Sequence, residues 1–101
     1  MIIGSTPTYT FTLPTAMEDV AEVKVTFAQG SVAVSKKLAD CQMAENILTL
    51  KLSQEDTLSF CEGVVEIQIK VLISKGDDMN VLVSDPMYDQ ATRCLDEEVL
   101  E

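Results

Sequence analysis

The alternation of apolar and polar residues is most regular in the ten residues from Val64 to Ile73. A period of two is typical of a strand with one buried face, and the apolar set is rich in β-branched residues that suit a pleated surface. Ten residues would span about 33 Å, the depth of a small sheet. We therefore predict a central strand here, with these residues facing the core: Val65, Ile67, Ile69, Val71 and Ile73.

The same alternation predicts a hairpin in the first third of the chain. Val20–Gln29 alternates, the sequence Gln29-Gly30-Ser31 is a turn signal, and Val32–Lys37 follows as the second strand. The residues expected to face inward on the first strand are Ala21, Val23, Val25 and Phe27. Thr8–Leu13 alternates as well, and the prolines on both of its flanks indicate a strand at the edge of a sheet.

The remaining segments are shorter. We predict strands around Cys41–Met43, over Ile47–Leu52 with its leucines inward, and over Met79–Ser84, which extends past Pro86 towards Thr92. Ser53 is a good helix N-cap before an acidic first turn, so Ser53–Phe60 is predicted as one or two helical turns. Leu58 and Phe60 are its expected anchors, with Cys61 packed near its end.

These elements define an all-β fold class. Six or seven short strands, turn signals about every ten residues and one short helical turn are typical of a β-sandwich. We predict an immunoglobulin-like antiparallel β-sandwich of about seven strands. The Cys–Trp–Cys pattern of true immunoglobulin domains is missing, so the prediction concerns the architecture. Residues 1–92 would form the sandwich and residues 93–101 an acidic C-terminal tail.

Charge and cysteine content narrow the function classes. The 101 residues carry a net charge of −10, and half of that charge lies from Asp85 onward. Nucleic acid and anionic membranes are therefore not expected partners, since both are bound through Lys and Arg. Three cysteines without any histidine fit neither a disulfide framework nor a zinc site, so no cofactor is expected. The first residues lack the basic and apolar regions of a signal peptide, and the three thiols fit a protein made in a reducing compartment.

Candidate chemistry is sparse. Without histidine, a general base would have to come from carboxylate pairs such as Asp77 with Asp78 or Asp85 with Asp89, and solvated turns explain both pairs better. Asp77, Asp78 and Asn80 offer oxygen ligands for Ca²⁺, but their spacing does not match an EF-hand loop. We therefore expect a protein that is not an enzyme.

Five segments resemble a known group of proteins: IIGSTPTYTF, VKVTFAQ, ILTLKLSQEDTLSF, VEIQIKVLI and the ending CLDEEVL. In this order they are similar to small proteins encoded among the tail and virion genes of phages and prophages of Firmicutes. More loosely, the chain resembles the N-terminal immunoglobulin-like domain of siphophage baseplate upper proteins. The resemblance implies a structural or accessory virion protein, made in the bacterial host cytoplasm, that contacts other virion proteins or copies of itself. It implies no catalytic residue.

Two parts of the chain are the expected contact surfaces. The first is the predicted edge strand, with Tyr9 and Phe11, because an open strand edge is a template for pairing with another chain. The second is the tail, through Leu95, Asp96, Glu97, Glu98, Val99 and Leu100. The alternative hypothesis is an acidic decoy or inhibitor that binds a basic site on a host protein, since a charge of −10 would steer such binding.

Overall fold

The computed structural model describes residues 1–14, 17–96 and 98–100, except for the side chain of Met17. The strands are β1 (Thr8–Thr12), β2 (Val20–Gln29), β3 (Val32–Lys37), β4 (Cys41–Ala44), β5 (Ile47–Lys51), β6 (Gly63–Lys75), β7 (Asp78–Val83) and β8 (Met87–Ala91). Helix α1 (Gln54–Leu58) follows β5, and 3₁₀ turns lie at Met17–Asp19 and Leu38–Asp40.

The strands form two antiparallel sheets. The smaller sheet has the order β1-β5-β4, and the larger has the order β3-β2-β6-β7, with β8 also paired to β6. This matches the immunoglobulin order B-E-D in one sheet and C′-C-F-G in the other. The predicted immunoglobulin-like sandwich is therefore confirmed, with eight strands because the last one is divided into β7 and β8. The predicted edge position of β1 is confirmed as well.

The division of the last strand is a β-bulge. Lys70 pairs with Val83 and Ile67 pairs with Met87, so two residues of β6 face three residues between β7 and β8. An extra residue of this kind bends a strand and increases its local twist. Pro86 lies within the bulge, where a missing N–H costs no ladder hydrogen bond.

The core lies between the sheets, and β6 provides its longest row of side chains. Val65, Ile67, Ile69 and Val71 are buried as predicted, whereas Ile73 is only partly buried. From β2 and β5, the predicted side chains that are buried are Val23, Val25, Phe27, Leu48 and Leu50, and Leu52 follows directly after β5. Phe60, at the end of the α1 segment, is buried too.

Two predictions about buried residues were wrong. Ala21 is exposed because the pairing of β2 with β6 shifts between Val20 and Glu22, which removes Ala21 from the inward set. Cys61 is exposed rather than packed, and its backbone exchanges hydrogen bonds with the side-chain amide of Gln29. A one-residue shift turns side chains to the opposite face of a strand, and the alternation of Val20–Gln29 does not reveal it.

Helix α1 is short, and two reciprocal hydrogen bonds cap its N-terminus. Ser53 Oγ accepts a hydrogen bond from the Asp56 backbone N–H, and Asp56 Oδ2 accepts one from the Ser53 N–H at 2.9 Å. This reciprocal pair is a capping box, with Asp in the place more often taken by Glu. Lys36 of β3 reaches the same carboxylate, with 2.8 Å between Nζ and Oδ2. The helix is thereby attached to the larger sheet.

The Asp56 contacts predict a pH-dependent contribution to stability. Burial raises the pKa of the Asp56 carboxyl, but the Lys36 ammonium and the Ser53 hydrogen bonds outweigh it, so the pKa lies below its ordinary value of 3.8. A lowered folded-state pKa stabilises the fold above pH 3.8, and this stability is lost as the pH falls through the folded-state pKa. On acidification, Asp56→Asn should therefore lose less unfolding free energy than the wild type does. We expect the difference to be less than about 1 kcal/mol, since Asp56 and Lys36 are partly exposed.

Urea unfolding at a series of pH values below and above 4 measures this effect. Glu55→Gln, at the exposed neighbouring position, is the control because Glu55 is not part of the capping box. An acid profile for Asp56→Asn that matches those of the wild type and the control would contradict the assignment.

Candidate interaction surface

The hairpin of β6 and β7 extends past the smaller sheet. At about 3.3 Å per residue β6 is about 43 Å long, whereas the five residues of β1 or β5 span about 17 Å. The alternation of buried and exposed residues on β6 accordingly ends after Val71, and Leu72, Ile73 and Ser74 are all partly buried. The end of the hairpin thus extends beyond the described strands of the smaller sheet, with the 3₁₀ turn Met17–Asp19 in contact with β6.

Strand β7 is exposed along its whole length, and four of its six residues are apolar. Its large hydrophobic side chains are between 43% and 61% exposed, and they are Met79, Val81, Leu82 and Val83. We call these four residues with the outer backbone edge of β7 the β7 edge surface. The registers with β6 place Leu82 on the face of Val71, towards the sandwich interior, and Val81 and Val83 on the opposite, outer face. Apolar side chains therefore project from both faces of the strand.

The outer backbone edge of β7 is open. Ser84 N donates to Ile69 O at 2.8 Å, which makes Ile69 and Ser84 a hydrogen-bonded pair. Such pairs alternate in an antiparallel ladder, so Leu82 and Asn80 also bond to β6. The backbone N–H and C=O groups of Met79, Val81 and Val83 consequently point away from the sheet. Among the described strands, β7 pairs with β6 alone.

The other edge strands carry features that hinder pairing. Strand β3 ends in Lys36 and Lys37, β1 lies between Pro7 and Pro14, and β4 has only four residues. Lysine, proline and shortness are the usual protections of a sheet edge. From Met79 to Ser84 there is no charge and no proline. The β7 edge surface is thus less protected than the edges of β1, β3 and β4.

An apolar groove adjoins this edge on the inner face. It has a volume of about 300 Å³ and lies where the end of β1 meets the β6–β7 hairpin. Leu13 and Pro14 form one wall, and Ile69, Val71 and Leu82 form the other. Its lining has no charged residue, so it suits an apolar side chain from a partner better than a polar ligand.

The predicted contact residues of β1 lie against the core. Tyr9 and Phe11 are partly buried, and the Tyr9 ring is 5.1 Å from the ring of Phe27 between centroids. The Tyr9 hydroxyl donates to Asp89 Oδ2 at 2.6 Å and so joins the smaller sheet to β8. Burial, and then the hydrogen bond to Asp89, raises the pKa of Tyr9. A partner would therefore meet the β1 backbone more readily than these rings, and their role as contacts stays a prediction.

The tail lies beside α1. The backbone N–H and C=O of Leu100 both bond to the Gln54 side-chain amide, at 2.8 and 2.5 Å. Leu95 is 96% exposed and Leu100 is 76% exposed. Asp96 and Glu98 are exposed, Val99 is partly buried, and Glu97 lies outside the described residues. The tail's role as a contact also stays a prediction.

The described residues bear on the metal-site and cysteine hypotheses of the sequence analysis. No group of three or more Cys, Asp or Glu residues among them could hold a metal ion. Asp77 and Asp78 lie at the exposed turn of the β6–β7 hairpin. Burial, and then the neighbouring Asp40, raises the pKa of the Cys41 thiol, which makes that cysteine a poorer nucleophile.

Comparisons with protein-family models, with curated proteins and with solved structures found no match to this chain. None of the helices in the described ranges has the length and apolar character that crossing a membrane requires. The β7 edge surface was missed by the sequence analysis, which considered β1 and the tail. The signal was present in the uncharged run from Met79 to Ser84, but the alternation alone could not tell whether another layer covers it.

Proposed function

We propose that this chain is a non-enzymatic protein that works by binding other protein chains. The observation that carries the proposal is the β7 edge surface, which has no charged residue from Met79 to Val83, an open backbone edge and apolar side chains on both faces. Strand addition at such an edge gives affinity through main-chain hydrogen bonds and specificity through side-chain pockets. The adjoining groove between Leu13 and Leu82 offers such a pocket.

The setting that we propose is a phage or prophage virion, at the tail or baseplate, in a structural or accessory role. This part rests on the sequence resemblance described above and on the general suitability of a small sandwich for assembly by surface contact. The net charge of −10 agrees with contacts to proteins rather than to the packaged nucleic acid.

Particle association tests the proposal. The strain that encodes the chain would be induced to release particles, which are then purified by density gradient and analysed by quantitative mass spectrometry. We expect the chain to sediment with the particles and to remain bound through a wash at high salt, because an apolar edge contact depends little on charge. Its presence only in the soluble fraction would overturn the proposal.

Two matched variants test the role of the β7 edge surface in the same experiment. Val81→Lys places a charge on the edge strand, whereas Val64→Lys places one on β6 of the same sheet, and the two valines are 56% and 55% exposed. We expect Val81→Lys to reduce the amount bound to particles at least about tenfold, which is a loss of about 1.4 kcal/mol. If both variants bind to particles equally well, the β7 edge surface is not the binding surface.

A further inference from the structure

The β7 edge surface is compatible with a second copy of itself. An antiparallel partner strand would have to match its open N–H and C=O groups at Met79, Val81 and Val83. Two copies related by a twofold axis at Val81 provide this match, because Met79 then faces Val83 of the other copy and Val81 faces its equivalent. Each of these pairs exchanges two hydrogen bonds, about six in total.

The side chains of this pairing match as well. Met79, Val81 and Val83 all lie on the outer face of the sheet, as their pairing with Ser74, Leu72 and Lys70 shows. Joining two copies would extend them into one uninterrupted apolar row across the twofold axis. Cross-strand pairs of β-branched and apolar residues are the favourable pairs of an antiparallel sheet.

The charge distribution also favours a second copy of the chain at the β7 edge surface. The chain carries −10, so two copies repel one another over most of their surfaces. The segment from Ile67 to Ser84 carries no net charge, because Lys70 and Lys75 balance Asp77 and Asp78. The hairpin is thus a neutral part of an acidic molecule, and at physiological salt charges more than about 8 Å away are largely screened. A basic partner protein would find no matching charge on the edge itself.

We propose that this chain forms a twofold dimer in which the two β7 strands pair in antiparallel fashion and join the two larger sheets into one. This inference rests on the proposed function and names the partner of the β7 edge surface. The dimer would cover the open edges of both copies, which is the usual way in which an unprotected edge is removed from solvent.

Size-exclusion chromatography with light scattering on the purified full chain tests the dimer. A small interface of this kind should give a Kd of about 1–100 µM, so the wild type is measured across that range. We expect a monomer–dimer equilibrium for the wild type and for Val64→Lys, and a monomer for Val81→Lys with Kd raised at least about tenfold. A wild type that stays monomeric, or a Val81→Lys variant that still dimerises, would overturn the proposal.

A second variant checks the edge without adding charge. The N–H of Val81 points away from β6, so Val81→Pro removes an outward donor and leaves the β6–β7 ladder intact. We expect this variant to retain the far-ultraviolet circular dichroism of the wild type and to be monomeric. Dimerisation of a folded Val81→Pro variant would contradict pairing at this edge.

Salt dependence separates this proposal from a charge-driven contact. Because both copies are acidic, raising the salt concentration should strengthen the dimer or leave it unchanged. A dimer that dissociates as salt rises would indicate attraction between opposite charges and would overturn the proposed interface.

Covalent trapping fixes the register. In a chain with Cys41, Cys61 and Cys94 replaced by serine, Val81→Cys should form a disulfide-linked dimer with oxidised glutathione. Residues opposite one another in a hydrogen-bonded pair have Cα atoms about 5.5 Å apart, and disulfides span about 4.4–6.8 Å. Val64→Cys in the same background should stay monomeric, and equal trapping at both positions would contradict the register.

The two proposals fail separately. A monomeric wild type that still enters particles would overturn the dimer and leave the proposed function standing. A dimer that never associates with particles would overturn the virion role and leave the β7 pairing standing.

Discussion

Replacing Phe27 with alanine should lower the free energy of unfolding by about 3–5 kcal/mol, the range for aromatic residues removed from a core. Phe27 is fully buried on β2, where it pairs with Ile67 of β6 and with Val34 of β3. Its ring also packs at a tilt against Tyr9 of the opposite sheet. The substitution would therefore open a cavity between the sheets, with neighbours on both sides that cannot all move inward. Urea unfolding followed by circular dichroism measures the loss.

Tyr88→Ala is the control for this substitution. Tyr88 is also aromatic and lies on β8 of the same sheet, but it is 66% exposed. We expect a change within about 0.5 kcal/mol for this variant, as for most surface positions. A similar loss in the two variants would show that the ring of Phe27 has no special place in the core.

The second large effect is expected at Thr57, where valine should lower the free energy of unfolding by about 1–3 kcal/mol. Thr57 is the buried polar residue among the described residues. Its Oγ1 accepts a hydrogen bond from the Gly4 N–H at 2.9 Å and donates to Ser5 O, also at 2.9 Å. Valine has nearly the same shape but leaves the Gly4 N–H without this partner. The N-terminal segment should then separate from α1, which amide hydrogen exchange at Gly4 and Ser5 would detect.

Thr57→Ser separates the hydroxyl from the methyl group. Serine keeps both hydrogen bonds and removes one buried methyl, so we expect it to cost less than valine and to retain slow exchange at Gly4. A valine variant that is as stable as the serine variant would show that packing, rather than the hydroxyl, holds the N-terminal segment at this point.

The exposed apolar side chains of β7 are the reason for expecting that the β6–β7 hairpin binds another protein chain. Strand β7 contributes little to the sandwich, because only Leu82 faces its interior and the other apolar side chains lie on the outer face. A domain of this size gains stability by burying apolar residues, so an uncovered apolar strand with an open edge needs a reason other than the fold of the single chain. Binding another protein chain supplies that reason.

Much of the architecture follows from the sequence, since it depends on neighbours along the chain. The period of two on Val64–Ile73 predicted β6 and its buried face, and the same period on Val20–Gln29 predicted the inward residues Val23, Val25 and Phe27. Gly30 marks the tight turn between β2 and β3, where it adopts a positive φ of 57° that other residues rarely take. Ser53 predicted the start of α1. Each of these signals is local and needs no knowledge of the rest of the molecule.

The tertiary structure decided what depends on residues distant in sequence. Thr57 gives no sign in the sequence that it is buried, because its partners are in the N-terminal segment more than fifty residues away. Ala21 left the core through a shift in pairing with β6. The apolar residues of β7 resemble those of a covered strand, but the register with β6 places Met79, Val81 and Val83 on the outer face of the sheet, away from the smaller sheet. Local patterning sets the conformation of a strand and the face it prefers to bury, but whether another layer covers that face is decided by the lengths and pairing of strands elsewhere in the chain.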